Sequence, residues 1–444
     1  MKKVLILAYD FPPYVSVGGL RPYNWYKHLK EFEVEPIVVT RQWGNVHGNH
    51  LDYISAGESE ESILENTEFG MIIRTPYKPN FANRLMLKYG DTRYRILRKS
   101  ISAFYEIAQF VFPIGPKAAL YRGAKEFLKN NKVDVILATG DPFVLFSFAS
   151  KLSKEFGIPW IADYRDPWSH NEERRKMVIQ KKWNAYFEKK TVASSSYIQT
   201  VSKFVHSKID HLIPNKPFSI SPNGYDSLVI DKLKNIPQNK EVFSISFVGT
   251  IYNWHPIESF LRVANAFVRE NPQAKIAFKF YGTNLANELN RFVYEEFPKL
   301  KDHVFISPKI QNKELLEKLA SDNVMLLFNY YSYMGTKIFD YLGIRRKIIM
   351  CYSNDPEANI LKQKYYSIDE SGSDSKQLQA ELINETNAGI IVKDAAHLKE
   401  VLMELYAEFK ENGCIACDSK GIEKYSRKIQ VERLAEVIKG IAAL

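Results

Sequence analysis

The stretch GTKIFDYLGIRRKIIM (335–350) decides how the rest of the chain is read. A glycine and a threonine open it. Lys337 and Asp340 follow three residues apart on one helical face, and a basic cluster (Arg345, Arg346, Lys347) runs into an apolar strand. Backbone N–H groups at a helix start suit a phosphate. A carboxylate one turn in suits a ribose diol, and a nearby cation suits a diphosphate leaving group. The segment therefore has the makings of a nucleotide-sugar site, set between a helix and the strand that follows it.

Outward from this segment, short apolar strands alternate with amphipathic helices over the whole chain. VLILAY (4–9), EPIVVT (35–40), MIIRTP (71–76), DVILATG (134–140), PWIADY (159–164), YIQTVS (197–202) and FSISPNG (218–224) form a first set. A polar stretch carrying a proline, DKLKNIPQNKE (231–241), reads as a linker. The pattern then restarts with FSISFVG (243–249), KIAFKFYG (275–282), HVFISP (303–308), NVMLLFN (323–329), KIIMCY (347–352) and GIIV (389–392). Continuous apolar strands separated by helices predict parallel sheets covered on both faces. The tail, 423–441, spaces Ile429, Val431, Leu434, Val437 and Ile438 as an amphipathic helix. The expected fold class is α/β, with two tandem doubly wound domains at 1–230 and 241–422 and a terminal helix at 423–444.

Composition narrows the possibilities. At 45% hydrophobic and 25% charged residues, the 444-residue chain reads as ordinary globular protein. No apolar run approaches the roughly 20 residues of a membrane helix. In MKKVLILAYDFPP the apolar run is only Val4 to Tyr9, so a first strand fits better than a signal peptide. Three cysteines cannot build a disulfide framework, which fits a reducing cytoplasm. Cys414 and Cys417 form a lone CxxC with neither a second pair nor histidines beside it, so no metal site is expected. The net charge of +10 suggests an acidic partner. It is concentrated in 78–99, where seven Lys or Arg face one Asp, and SISAFYEIAQFVFP (100–113) follows directly. Basic-plus-aromatic reads as a surface touching phospholipid headgroups, and equally as a solvated helix face beside a core helix. No nucleic-acid-binding module is present.

Several strand ends carry candidate chemistry. In DFPPYVSVGGLRPYNW (10–25), Gly18 and Gly19 let the backbone approach a ligand before the helix, with Arg21 at its start. The three spaced glycines of a dinucleotide fingerprint and the Gly-Lys-Ser/Thr of a Walker loop are missing, which weighs against NAD enzymes and P-loop NTPases. TGDPF (139–143) puts Asp141 before a proline, a standard helix start with an acceptor contact as a second role. DYRDPWSH (163–170) sets two carboxylates and a guanidinium in four positions, either as reacting groups or as an ion-paired corner under Trp168.

These strings, in this order, resemble retaining GT-B glycosyltransferases of the family-four type: a KIFEYL-like segment at KIFDYL, an FPP…GG loop, a DxRDPW string, and SPNGYD (221–226) like the I-x-N-G-x-D before the inter-domain linker. The resemblance implies two Rossmann-like domains facing a cleft and a C-terminal helix crossing back to the first. It implies a nucleotide-diphosphate sugar donor in the second domain, a glycan or lipid-linked acceptor in the first, no cofactor and no metal. Gly18, Gly19, Gly249, Thr250, Gly335, Thr336 and Lys337 would reach the diphosphate side of the donor, and Asp340 its ribose. Tyr281, Gly282, Lys309 and Ile310 would line the base pocket. Asp163 stands where many relatives have a sugar-contacting histidine, with Asp166 as rival, and Arg21, Asp141 and Arg165 would meet the acceptor.

The chain also departs from the pattern. Thr250 replaces the arginine of a usual V-G-R, with Trp254, His255 and Pro256 where a lysine stands, so compensating charge would come from Lys337, Arg346 or Arg21. Ser332 occupies the place of a sugar-contacting glutamate. The implied setting is surface polysaccharide assembly at the inner face of a membrane. A nucleotide-sugar epimerase on the same architecture and a non-catalytic sugar-nucleotide-binding partner protein are the alternatives.

Overall fold

The computed structural model describes residues 1–44, 51–170, 178–373 and 375–443. It contains two compact units, Met1–Pro222 with Arg427–Leu444, and Asn223–Ser426.

The first unit is built on β1 (Lys2–Leu7), β2 (Val34–Arg41), β3 (Ile63–Asn66), β4 (Met71–Thr75), β5 (Val135–Gly140), β6 (Trp160–Tyr164), β7 (Tyr197–Thr200) and β8 (Phe218–Ile220). Their order in the sheet is β3-β4-β2-β1-β5-β6-β7-β8. The central strands are apolar on both faces, and Val4, Leu5, Ile6 and Leu7 expose nothing. Helices on both sides exclude water from them, the arrangement a continuous apolar strand requires. The chain runs outward in one direction from β1 and in the other from β5, so the switch point where such sheets bind ligands lies between those two strands.

Two expectations need correction here. The sheet is not wholly parallel, because β3 pairs antiparallel with β4 at the edge. Its sequence, ILEN, is half polar and only partly buried, so it carries no apolar run to announce a strand. The strand expected over 218–224 stops at Ile220, ahead of Ser221 and Pro222.

The second unit has β9 (Phe243–Val248), β10 (Ile276–Tyr281), β11 (Val304–Ser307), β12 (Val324–Phe328), β13 (Lys347–Cys351) and β14 (Gly389–Val392). Its sheet is parallel throughout, in the order β11-β10-β9-β12-β13-β14, with the switch point between β9 and β12. The stretch 231–241, expected as a linker, packs into this unit. Leu233 sits in its core with Tyr225 and Ile230, and the Asn323 side chain donates to the Asn239 carbonyl at 3.0 Å.

The last helix, Arg427–Ile441, belongs to the first unit. Val431, Leu434, Ala435 and Ile438 enter one apolar cluster with Val4, Ile6, Trp25 and Val135. Lys428 pairs with Glu31 at 2.6 Å, and Lys2 donates to the Ala442 carbonyl at 3.1 Å. Burying each larger apolar side chain contributes about 1.5–3 kcal/mol, so apolar contact rather than the exposed ion pair holds this helix in place.

Candidate functional site

In the second unit the ends of β9, β10 and β11 lie side by side. Gly249 donates to the Tyr281 carbonyl at 3.0 Å, and Gly282 to the Ser307 carbonyl at 2.9 Å. Gly282 has a φ of +61°, a left-handed turn that its residue type allows. Thr250 and Lys309 are exposed beyond these turns.

The helix Lys337–Ile344 follows β12, so its N-terminus belongs to the same edge of the sheet. Thr336 precedes it without making a side-chain cap. The Phe339 N–H turns back to the Thr336 carbonyl at 3.2 Å, and the Lys337 and Ile338 N–H groups are the ones a helix start leaves to solvent or a ligand. Ile338, Phe339 and Leu342 bury the opposite face in one core cluster with Val248 and Tyr281, and Ile310 packs against that cluster. The Val248 N–H donates to the Tyr341 hydroxyl at 3.1 Å, tying the helix to the end of β9. Burial raises the pKa of Tyr341 well above the usual phenol range, so it stays neutral in that bond. Lys337 Nζ reaches Asp340 Oδ2 at 3.2 Å on the partly exposed face. Such an (i, i+3) pair contributes only a few tenths of a kcal/mol by itself, about 0.2–0.5, so an anion or a diol can take over either partner. Gly335, Thr336, Lys337 and Asp340 thus come together at this edge with Gly249, Thr250, Tyr281, Gly282, Lys309 and Ile310.

The basic cluster behind this helix lies elsewhere. Arg346 donates to the carbonyls of Ala320 and Ile236, at 3.0 and 2.9 Å, while Arg345 pairs with Glu423 at 2.6 Å and Lys347 with Glu408 at 3.6 Å. Lys347 begins β13, so the cluster stands at the N-terminal end of a strand, opposite the edge that binds ligands. The expected phosphate role of Arg346 is corrected accordingly.

Sequence reasoning missed two features of this unit. The Ser332 hydroxyl, fully buried, donates to Glu370 Oε1 at 2.7 Å, and Lys362 holds the other carboxylate oxygen at 2.8 Å. A carboxylate 38 residues away thus sits against the serine that stands in the glutamate position, and nothing around Glu370 in the sequence signals it. Burial and Glu370 together push the Tyr331 phenol up to about 12. The second feature is an aromatic group beyond β9: Tyr252 stacks on Trp254 at 4.4 Å, with His255, Tyr330 and Tyr366 around them. Burial pushes His255 down to about 3, so its imidazole is neutral. His255 Nδ1 accepts from the Tyr252 N–H at 3.3 Å, while Nε2 and the Trp254 Nε1 are buried without a hydrogen-bond partner among the described residues.

In the first unit Asp163, one of the two expected reacting carboxylates, is bound by the protein itself. Arg21 grips Asp163 through Nη2 and Nε, at 2.7 and 3.0 Å, and Thr139 donates to the other carboxylate oxygen at 2.8 Å. Arg21 Nη1 also donates to the Ser221 carbonyl at 2.8 Å. Asp163 exposes nothing. Its charge is satisfied by a bidentate guanidinium and a hydroxyl, and no surface remains to face a sugar, so its expected catalytic role and the acceptor role of Arg21 are corrected. Together they strap β5, β6, the first helix and the segment after β8.

Arg165 donates to the carbonyls of Gly140 and Asp141 at 2.9 and 2.6 Å. A Cβ on Gly18 would come 2.3 Å from Arg165 Nη1, so glycine there makes room for the guanidinium. Gly18 and Gly19 lie in the first turn of the helix Val17–His28, which is capped by Ser16, whose oxygen accepts from the Gly19 N–H at 3.0 Å. Asp141 does not cap the helix after β5, which begins at Val144 behind Phe143. Asp166 is half-buried beside Arg165.

Asp10, at the exit of β1, was not singled out by sequence. Its Oδ2 accepts from the Ser16 hydroxyl at 2.8 Å, and its Oδ1 is buried without a hydrogen-bond partner among the described residues. Burial, with Asp141 nearby, raises its pKa against the lowering pull of Ser16 and Arg165.

Beside this switch point lies a chamber of about 550 Å³. Phe143 and Trp168, stacked parallel at 5.3 Å, and Trp183 supply aromatic surface, while Lys117, Asp141, Gln109 and Asn184 supply polar groups. A smaller chamber of about 170 Å³ also has Tyr53, Glu106, Gln109 and Lys117 in its lining and adds Tyr9, Tyr77 and Asn83. Aromatic faces with convergent polar groups suit a ligand that has apolar C–H faces and hydroxyl edges. The lining comes from separate helices and loops, so no string in the sequence marks it. Among the described residues no group of three or more His, Cys, Asp or Glu is placed to hold a metal ion.

No protein-family model and no curated protein sequence matches the chain. Solved structures do match over its full length. Sucrose-phosphate synthase from Thermosynechococcus elongatus is 13% identical, with a TM-score of 0.55 and coverage of 100% of this chain and 97% of that one. Trehalose-6-phosphate synthase OtsA is 10% identical, with a TM-score of 0.55 over 99% of each chain. HepE of Anabaena in complex with UDP-glucose is 10% identical, with a TM-score of 0.53 over 99% of this chain and 100% of that one. At these identities the likeness is one of fold, and that fold is GT-B.

Proposed function

We propose that the protein is a glycosyltransferase that moves a sugar from a nucleotide-diphosphate sugar to a glycan or lipid-linked acceptor, with retention of the anomeric configuration. The observation that carries this reading is the helix Lys337–Ile344, whose uncapped N-terminus, Lys337 and Asp340 share one sheet edge with Gly249, Gly282 and Lys309. The helix amides, Gly249 and Thr250 bind the diphosphate, Lys337 offsets its charge, and Asp340 accepts from the ribose hydroxyls. Main chain near Lys309 and Ile310 reads the base edge. His255 and Trp254, each with an unused N–H donor, serve the sugar end of the donor.

The acceptor occupies the aromatic chamber of the first unit, its polar edge met by Lys117, Asp141 and Gln109. In the reaction the bond from the anomeric carbon to the phosphate oxygen breaks and its electron pair leaves with the nucleoside diphosphate. An acceptor oxygen bonds to that carbon, and its proton passes to the departing phosphate or to a carboxylate, for which Asp10 and Asp166 are the candidates. The missing Asp-x-Asp string at a strand end supports a reaction without a divalent metal.

A thermal-shift screen against UDP-, GDP-, ADP- and dTDP-sugars tests this reading. One donor class should raise the melting temperature in proportion to the logarithm of its concentration, as mass action requires. A protein that none of the four stabilises would end it. The epimerase alternative predicts a new sugar nucleotide formed from the donor alone.

A further inference from the structure

The helix Arg95–Ala108 is amphipathic in sequence, yet none of its residues is buried. Helical spacing puts Ile96, Leu97 and Phe104 on one side and Ser102, Tyr105 and Glu106 on the other. The side that faces the protein holds the half-buried Ile101, Ser102 and Tyr105, and Ser102, Tyr105 and Glu106 wall the smaller chamber of the first unit. The apolar side faces water: Ile96 is 84% exposed and Phe104 60%. A lone exposed apolar residue needs no explanation, but a stripe of them along one side of a helix does.

Charge identifies the partner. Arg84, Lys88, Arg93, Arg95 and Lys99 are all exposed around the stripe. Of the two acids in 81–108, Asp91 is held by Arg98 and Glu106 stands at the chamber. Thr92, Tyr94, Arg95, Ile96, Leu97 and Lys99 line an open depression of about 650 Å³ that joins cations to apolar surface. We propose that this helix and its neighbour Phe81–Tyr89 dock the protein on an anionic phospholipid surface, with the stripe at the acyl boundary and the cations on headgroup phosphates. A second copy of this chain is a poor occupant, because pairing the face with itself would bring like charges together. The docking helix is also a wall of the chamber, so an acceptor carried on a lipid would meet the protein at that wall. The docking itself does not depend on the glycosyltransferase reading.

Flotation of the full chain with vesicles provides the test. Phosphatidylglycerol–phosphatidylethanolamine vesicles should carry the protein, pure phosphatidylcholine should not, and added salt should release it. Each cation near an anionic surface contributes roughly five-fold to partitioning, so the Arg95→Gln/Lys99→Gln pair should lower it about 25-fold. Ile96→Ser/Phe104→Ser should lower it about ten-fold or more without changing the melting temperature, since both side chains are exposed in the fold. Equal binding to neutral vesicles, or undiminished binding by both double variants, would overturn the proposal. So would a dimer without vesicles that Phe104→Ser dissociates, since the stripe would then join protein to protein.

Discussion

The two sheets present the same kind of edge, the C-terminal ends of parallel strands beside a switch point, and use it in opposite ways. In the second unit the charged and polar groups are held lightly: Lys337 and Asp340 share one partly exposed pair, and Thr250 and Lys309 are open to solvent. In the first unit the charges that look reactive are committed to the protein itself. Arg21 and Asp163 bind each other out of water, and Arg165 is spread over two carbonyls. Composition does not separate the two cases, since each offers a carboxylate near a cation. Burial does, because a fully desolvated charge must be paired inside the fold, while a half-exposed one can exchange its partner for a ligand.

The largest expected effect probes the committed side. Asp163→Ala leaves Arg21 buried and unpaired, and should cost about 3–5 kcal/mol of unfolding free energy in a denaturant titration. A well-folded Asp163→Ala protein with only its turnover lowered would break the comparison and return Asp163 to the reacting centre. On the lightly held side, Asp340→Ala should weaken donor binding about 10- to 100-fold by calorimetry and leave stability nearly unchanged, the loss matching a charged hydrogen bond of about 1.5–3 kcal/mol.

Arg346→Ala sharpens the contrast within the second unit. It should lower stability by about 1–2 kcal/mol, because the Ala320 and Ile236 carbonyls lose their donor, while the donor-induced thermal shift stays the same. The smallest effect concerns Asp10. Burial raises its folded pKa above the unfolded value, so its contribution to stability is present in acid and is lost as pH rises from the usual carboxylate range through the raised value. Asp10→Asn should flatten that part of the stability–pH curve, as unfolding midpoints measured across that window would show.

Much of the architecture was legible because it rests on local pattern. Strands such as Val4–Leu7 and Val324–Phe328 are apolar on both faces, and their spacing between amphipathic helices specifies parallel sheets. The edge strand Ile63–Asn66 was not legible, since half of its residues are polar and its pairing with β4 supplies what its composition does not. The residues proposed to hold the donor could be located in the sequence because they lie within a few positions of strand ends or in one helix turn. The aromatic chamber could not, because Lys117, Asp141, Trp168 and Trp183 meet only after the helices that carry them are packed.

By itself the sequence determined the α/β class, the two sheets, the amphipathic last helix and the helix that offers Lys337 and Asp340, all of which follow from periodicity over ten or so residues. Tertiary structure alone decided that Asp163 is a strut, that Arg346 is a brace at the wrong end of its strand, that Glu370 meets Ser332, and that Arg95–Ala108 turns its apolar stripe outward. The physical reason is the same in each case. The role of a charge or an apolar stripe depends on which neighbours remove it from water, and those neighbours come from distant parts of the chain.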